Sequence, residues 1–341
     1  MAATHSTKRR RARRGLLRAL GAAALAPAAW ALAPCPALAQ GPGAARRIGF
    51  LGGPQPQYLA AFRDGMRALG FVEGKNLVIE FREVSGSADD AARRGLAAEL
   101  VALNVEVIVA SVTRNALAAR DATARIPIVM VNAGDPVEVG LTSSLDRPTG
   151  NITGLSRNSI ELVRADLALL LEVVPAARRI GVLANPANPL HPRMIFAVRR
   201  DIRERGLGRH VVNLTAPEEI PAALESMSHE GVDALIVLTD TMFYQSRAQL
   251  AQIALERKLP VVYQNAEHVE AGGLMAYAPD QVERYRLAAS YVERLLKGAK
   301  PAELPIQLPA KFDLAVNLRT ARALGLTIPP AVIARANRVI E

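Results

Sequence analysis

From residue 46 onward the chain alternates between two rhythms. Short apolar runs, RRIGFLGG (46–53), NLVIEFREV (76–84), VEVIVAS (105–111) and IPIVMVNAG (126–134), read as strands. Between them, YLAAFRDGMRALG (58–70), DDAARRGLAAELVAL (89–103) and NALAARDAT (115–123) carry apolar residues three and four apart. That spacing predicts helices, the first stopping at Gly70. Strands alternating with helices of roughly 10–15 residues indicate βαβ units and a parallel sheet.

The pattern then restarts. ARRIGVLANP (177–186) echoes ARRIGFLGGP (45–54), and GVDALIVLTD (231–240) echoes NVEVIVAS (104–111). LPVVYQNAEHVEAGGL (259–274) echoes IPIVMVNAGDPVEVGL (126–141), with Pro127 matching Pro260 and Asn132 matching Asn265. The copies lie about 132 residues apart and keep their order, which predicts two similar α/β halves. Each copy of the last motif ends in a Gly-rich step, as expected where a chain crosses between lobes. Gly140, Gly150, Gly154 and Gly273 are the expected hinge positions, because glycine reaches dihedrals closed to other residues. The expected division is 44–150 plus about 277–303 for the first lobe and 151–276 for the second, with 304–341 unassigned.

Charge changes the picture only at the front. The chain of 341 residues has a formal net charge of +10, which suggests a nucleic-acid partner. Seven of the basic residues (Lys8, Arg9, Arg10, Arg11, Arg13, Arg14 and Arg18) precede an apolar stretch from Leu16 to about Ala33. Ala37-Leu38-Ala39 then forms an A-x-A cleavage pattern, so residues 1–39 read as a secretory signal peptide, with a twin-arginine resemblance at Arg13-Arg14. Its removal leaves 35 basic against 32 acidic residues and no case for nucleic acid. The same reading places the protein in the periplasm. Cys35, the one cysteine, goes with the leader, so thiol chemistry is excluded; Pro34 before it fits a lipoprotein site poorly.

His5, His191, His210, His229 and His268 lack metal-ligand spacing, and there is neither a G-x-S-x-G elbow nor a Walker loop. No metal, cofactor or catalytic set is therefore expected, and the chain reads as a binding protein and not an enzyme.

Five segments resemble the TrpX-like substrate-binding components of ABC uptake transporters: GFVEGKNLVIEFR (70–82), AAELVALNVEVIVA (97–110), IPIVMVNAGDPVEVGLTSSLDRPTGNITGLS (126–156), EAGGLMAYAPD (270–280) and LLKGAKPAELPIQLPAKFDLAVNLRTARALGLTIP (295–329). The resemblance spans nearly the whole exported chain. It implies a type I periplasmic-binding-protein fold, in which two Rossmann-like lobes joined by crossover strands close like a Venus flytrap. It also implies a small ligand, with an amino acid or similar carboxylate favoured, a membrane permease as partner and a monomeric state. A sensory module for a membrane receptor is the alternative, and an enzyme on the same α/β architecture is the remoter one. Two departures bear on the ligand: Ala276-Tyr277-Ala278 stands where the family often has Ser-Tyr-Gly, and Arg114 and Asn115 stand where it has small or apolar residues.

Ligands in open α/β sheets sit beyond the carboxyl ends of the strands. That rule selects Tyr58, Ser111, Thr113 and Asp135 from the first half, and Asn185, Asp240, Tyr263 and Tyr277 from the second. Ser111 and Thr113 either hold a carboxylate at a helix start or cap that helix. Asp135 either meets an ammonium or fixes an Asp-Pro turn, whereas Asp240 is read as a ligand contact. The tyrosines either stack on a flat ligand or fill the core. Asp240→Ala is expected to remove binding at little cost to stability.

Overall fold

A computed structural model describes residues 45–341 apart from Pro54, Gly86 and Ser87; the expected signal peptide and Cys35 lie outside the described residues. The first half is built from β1 (Arg46–Gly52), α1 (Pro56–Ala68), β2 (Leu77–Glu83), α2 (Asp90–Ala102), β3 (Val107–Ser111), α3 (Thr113–Ala122), β4 (Ile128–Ala133) and β5 (Ile152–Ser156). Its strands lie in the order β2-β1-β3-β4-β5, all parallel. β1, β3 and β4 bury every or nearly every residue, as strands covered on both faces must.

The second half begins with α4 (Ser159–Val173), β6 (Arg179–Ala184), α5 (His191–Glu204), β7 (Gly208–Asn213), α6 (Ile220–His229) and β8 (Ala234–Val237). It continues through α7 (Thr241–Gln245), α8 (Arg247–Glu256), β9 (Val261–Tyr263), α9 (Ala266–Glu270) and β10 (Met275–Pro279). Then come α10 (Gln281–Leu296), β11 (Phe312–Asn317), α11 (Leu318–Ala323), α12 (Pro330–Arg335) and β12 (Arg338–Ile340). This sheet runs β12-β11-β10-β9-β8-β6-β7, parallel except where β11 meets β10. Apolar clusters cover both faces of each sheet.

The chain passes between the sheets three times: at Arg157-Asn158 after β5, at Asp280 after β10, and through 308–311 before β11. These positions correct the expected boundaries. β5 pairs with β4 and belongs to the first sheet, so the first crossing lies beyond residue 150. β10, which includes Tyr277, stays in the second sheet through Pro279. The next helix, α10, returns to the first lobe, where Tyr285, Ala288 and Ala289 pack with Tyr58, Phe62 and Met66 of α1. The unassigned tail divides: Gln307 bridges to Leu155 beside the first sheet, and β11 and β12 complete the second.

The expected hinge glycines are not at the crossings. Gly140 and Gly150 lie in the loop between β4 and β5, and Gly273 lies between α9 and β10. Gly154 sits inside β5 with φ of +128°, where a Cβ would fall 2.2 Å from the Met130 carbonyl oxygen. Close strand contact explains that glycine, and bending does not.

Candidate functional site: the inter-lobe cleft

The carboxyl ends of β3 and β4 face those of β6, β8 and β9 across the cleft, and short buried loops bring polar side chains there. Val112 joins β3 to α3 with φ of +60°, a conformation that a β-branched residue adopts only under strain. Asn132, Asp135 and Asn158 also have positive φ, so unusual backbone concentrates at the cleft and the first crossing.

On the opposite wall Asp240 caps α7 by accepting from the Met242 amide at 3.0 Å. The same carboxylate accepts from Asn185 Nδ2 at 3.2 Å and Asn188 Nδ2 at 3.1 Å. His191 braces both loops. Its Nδ1 accepts from the Asn185 amide at 2.8 Å, which leaves Nε2–H to donate to the Thr239 carbonyl at 3.0 Å. Burial pushes its pKa below the ordinary histidine value, as a neutral brace requires.

At the first crossing Arg157 is 4% exposed and donates from Nη2 to the Gln264 carbonyl oxygen. Asn132 donates to Gln281 Oε1 and accepts from Arg284 Nε at 2.6 Å, tying β4 to α10. An aromatic wall is formed by Tyr58 stacked on Tyr285, their ring centroids 5.0 Å apart and their planes at 10°. The lobes are clasped together: Tyr58 Oη donates to Glu267 Oε1 at 2.5 Å, and Gln57 Nε2 donates to Tyr244 Oη at 3.1 Å. Glu138 and Arg193 form a further ion pair between the lobes.

Two small cavities of about 50 Å³ each lie between the lobes and share Arg93, Asn132, Arg157 and Asp240 in their walls. Around them Arg93 Nε, Arg157 Nε, Ser159 Oγ and Gln281 Nε2 are buried and have no hydrogen-bond partner. Buried polar atoms are rarely left so, and here three of the four can act only as donors. A wider groove of about 880 Å³ opens outside the clasp beside Glu267, Asp280 and Asp313. The two cavities, bordered by residues of both lobes and by buried Arg93 and Arg157, define the candidate site.

Tyr58, Ser111, Thr113 and Asp240 border these cavities, and so does Arg114, which is ion-paired with Asp90. Thr113 Oγ1 is already engaged by the Gly134 amide at 2.9 Å. Asn185 stands one step back, orienting Asp240. Three expected contacts lie elsewhere. Asp135 accepts from the Ile160 amide at 3.0 Å, so it secures the start of α4 and acts as a turn residue. Tyr263 is buried in the second lobe, stacked on His268 at 4.6 Å. Tyr277 stacks on Phe312 at 5.2 Å and borders a separate groove with Glu172 and Arg335.

Arg93, Arg157, Tyr244, Gln281 and Tyr285 border the cavities without having been anticipated. Arg157 directly follows the strand ITGLS and was within reach of the strand-end rule, had β5 been recognised. Tyr285 and Gln281 belong to the returning helix, and no local pattern reveals where that helix docks.

A family model for ABC transporter substrate binding proteins matches residues 56–340. The chain belongs to this family. A tyrosine-binding protein of Clostridioides difficile is 26% identical over 257 residues, covering 75% of this chain and 73% of that relative. Among solved structures, an ABC domain in complex with L-Trp from Streptococcus pneumonia is 24% identical, with a TM-score of 0.81 over 87% of this chain and 100% of that one. A ligand-free, open substrate-binding protein with adhesive properties from Clostridium difficile is 25% identical, with a TM-score of 0.64 over 86% and 99%. The fold is thus the two-lobed α/β architecture of type I periplasmic binding proteins. As a family member the chain is a substrate-binding protein. Among the described residues no helix is long and apolar enough to cross a membrane, and no group of three or more His, Cys, Asp or Glu is placed to hold a metal.

Proposed function

We propose that this protein is the exported binding component of an ABC uptake transporter, closing its lobes over a small carboxylate-bearing ligand such as an amino acid or close analogue. One observation carries the reading: the cavities between the lobes are bordered by two buried arginines, Arg93 and Arg157, against a single carboxylate, Asp240. Buried guanidinium donors suit a carboxylate, since charge-assisted hydrogen bonds are the strong ones. Tyr58, Tyr285 and Tyr244 supply a flat apolar flank. The clasp supports a closing motion in which ligand shifts the population toward the closed form, which a membrane permease then receives. The ligands named for the tyrosine-binding relative and the L-Trp complex support the carboxylate class.

A melting-temperature screen against amino acids, organic acids and sugars tests this, because a ligand that binds only the native state raises the midpoint. Carboxylates should raise it by several degrees, whereas a response to sugars alone would remove the proposed ligand class. Asp240→Asn is the informative variant at the second wall. Asp240→Ala also removes the α7 cap and the anchor of Asn185 and Asn188, so it cannot be neutral for stability as the sequence suggested.

A further inference from the structure

Charge around the two cavities is unequal. Their charged lining consists of Arg93, Arg114 and Arg157 against Asp240. Arg114 is neutralised by Asp90, leaving two buried guanidiniums facing one carboxylate. Asp240 is already committed: it accepts from the Met242 amide and from Asn185 and Asn188. A carboxylate has about four acceptor positions, so Asp240 has little left for an incoming ammonium. Asp166 lies outside the cavity lining; its Oδ2 accepts from Gln264 Nε2, and its Oδ1 is buried without a partner. Burial holds its pKa well above the ordinary carboxylate range, which favours the uncharged form. Glu267 is taken by Tyr58 and Gln57 in the clasp, on the side of the outer groove.

Two buried guanidiniums against one committed carboxylate leave the charged lining with more donors than acceptors. Arg93 is 2% exposed and spends Nη1 on Asn115 Oδ1 at 2.6 Å, keeping its guanidinium fixed at the cleft. A zwitterion would satisfy these donors with its carboxylate and bring an ammonium with no vacant acid in the cavity lining to meet it. Burying an unpaired charge is costly, so that ammonium discriminates against the ligand.

We propose that the ligand is a net anion: a carboxylate not balanced by an ammonium, held by Arg157 and Arg93. The inference rests on the ligand-binding role proposed above and narrows it from amino acids to organic acids. Matched probes separate the two, each pair differing in the α-ammonium: L-tyrosine with 3-(4-hydroxyphenyl)propanoate, L-tryptophan with 3-(indol-3-yl)propanoate, L-leucine with 4-methylpentanoate, and L-glutamate with glutarate. Calorimetry and melting shifts on the purified protein at neutral pH should show the acid of at least one of the three monocarboxylate pairs binding about tenfold or more tightly than its net-neutral amino acid. L-glutamate, itself a net anion, serves only to compare with glutarate and decides nothing against the proposal. Arg157→Gln and Arg93→Gln, each checked for a folded circular dichroism spectrum, should bring that ratio toward one. Because the wild-type ratio is decisive alone, loss of folding in either variant does not protect the idea. Equal or tighter binding of the amino acids overturns the anion proposal while leaving the carboxylate reading intact. Silence of every probe overturns both.

Discussion

His268 lies beneath the clasp, stacked on Tyr263 and edge-on to Tyr244. Burial pushes its pKa down to about 4; the backbone near Asn265 and Phe243 pulls the other way, and Arg247 and Arg157 add to the depression. The folded state therefore binds this proton less readily than the unfolded chain, whose histidine titrates near its ordinary 6.5. Nothing is lost above pH 6.5, and up to about 3 kcal/mol is lost as pH falls toward 4. His191, also lowered by burial, adds a loss of the same sign. His268→Phe keeps a planar ring in the stack and should flatten much of this acid limb in melts between pH 7 and pH 4.5. An unchanged pH profile would show that His268 titrates as an exposed histidine does.

Among the elements, β5 does the most with the least material. Its five residues are all buried, it is the last strand of the first sheet, and it delivers Arg157 to the cleft. The lack of a side chain at Gly154 lets it lie against Met130, so Gly154→Ala combines a backbone clash with a φ that alanine rarely adopts. A loss of about 2–3 kcal/mol in denaturant midpoint is expected; a loss below about 0.5 kcal/mol would mean that the strand shifts freely. The helical and strand rhythm marks most elements of this half, but not β5. It carries two glycine-bounded polar turns before it and a glycine within it, and so lacks the long apolar run that marks β3 and β4. Without that strand the lobe boundary falls too early and Arg157 carries no strand-end signal. Tyr263 and Tyr277 erred differently: a strand end fixes where a residue is, but the pleat decides which face its ring takes.

At the scale of the whole molecule, closure rests on few contacts. Glu267 accepts from Tyr58 and Gln57, joining α9 to α1 across the cleft mouth. Glu267→Ala removes that clasp while leaving the cavity lining in place. Small-angle scattering of the variant should shift toward a more extended form than wild type, and ligand should dissociate faster. Superimposable curves and equal off-rates would show that Glu267 does not hold the lobes closed.

The sequence by itself determined the architecture. Burial of a strand or a helix face is a short-range, periodic demand, so the alternation of runs and the repeat at about 132 residues disclosed two parallel α/β halves. Motif runs likewise pointed to the family to which the chain belongs. Only the tertiary structure decided the cleft. Arg93 on α2, Arg157 after β5 and Gln281 and Tyr285 on α10 meet because α10 crosses back onto α1 and the lobes close. Such meetings depend on long-range packing between segments more than a hundred residues apart, for which no local pattern carries a signal. The same packing decided between the two readings open for Asp135, which secures a helix, while Asp240 borders the cleft.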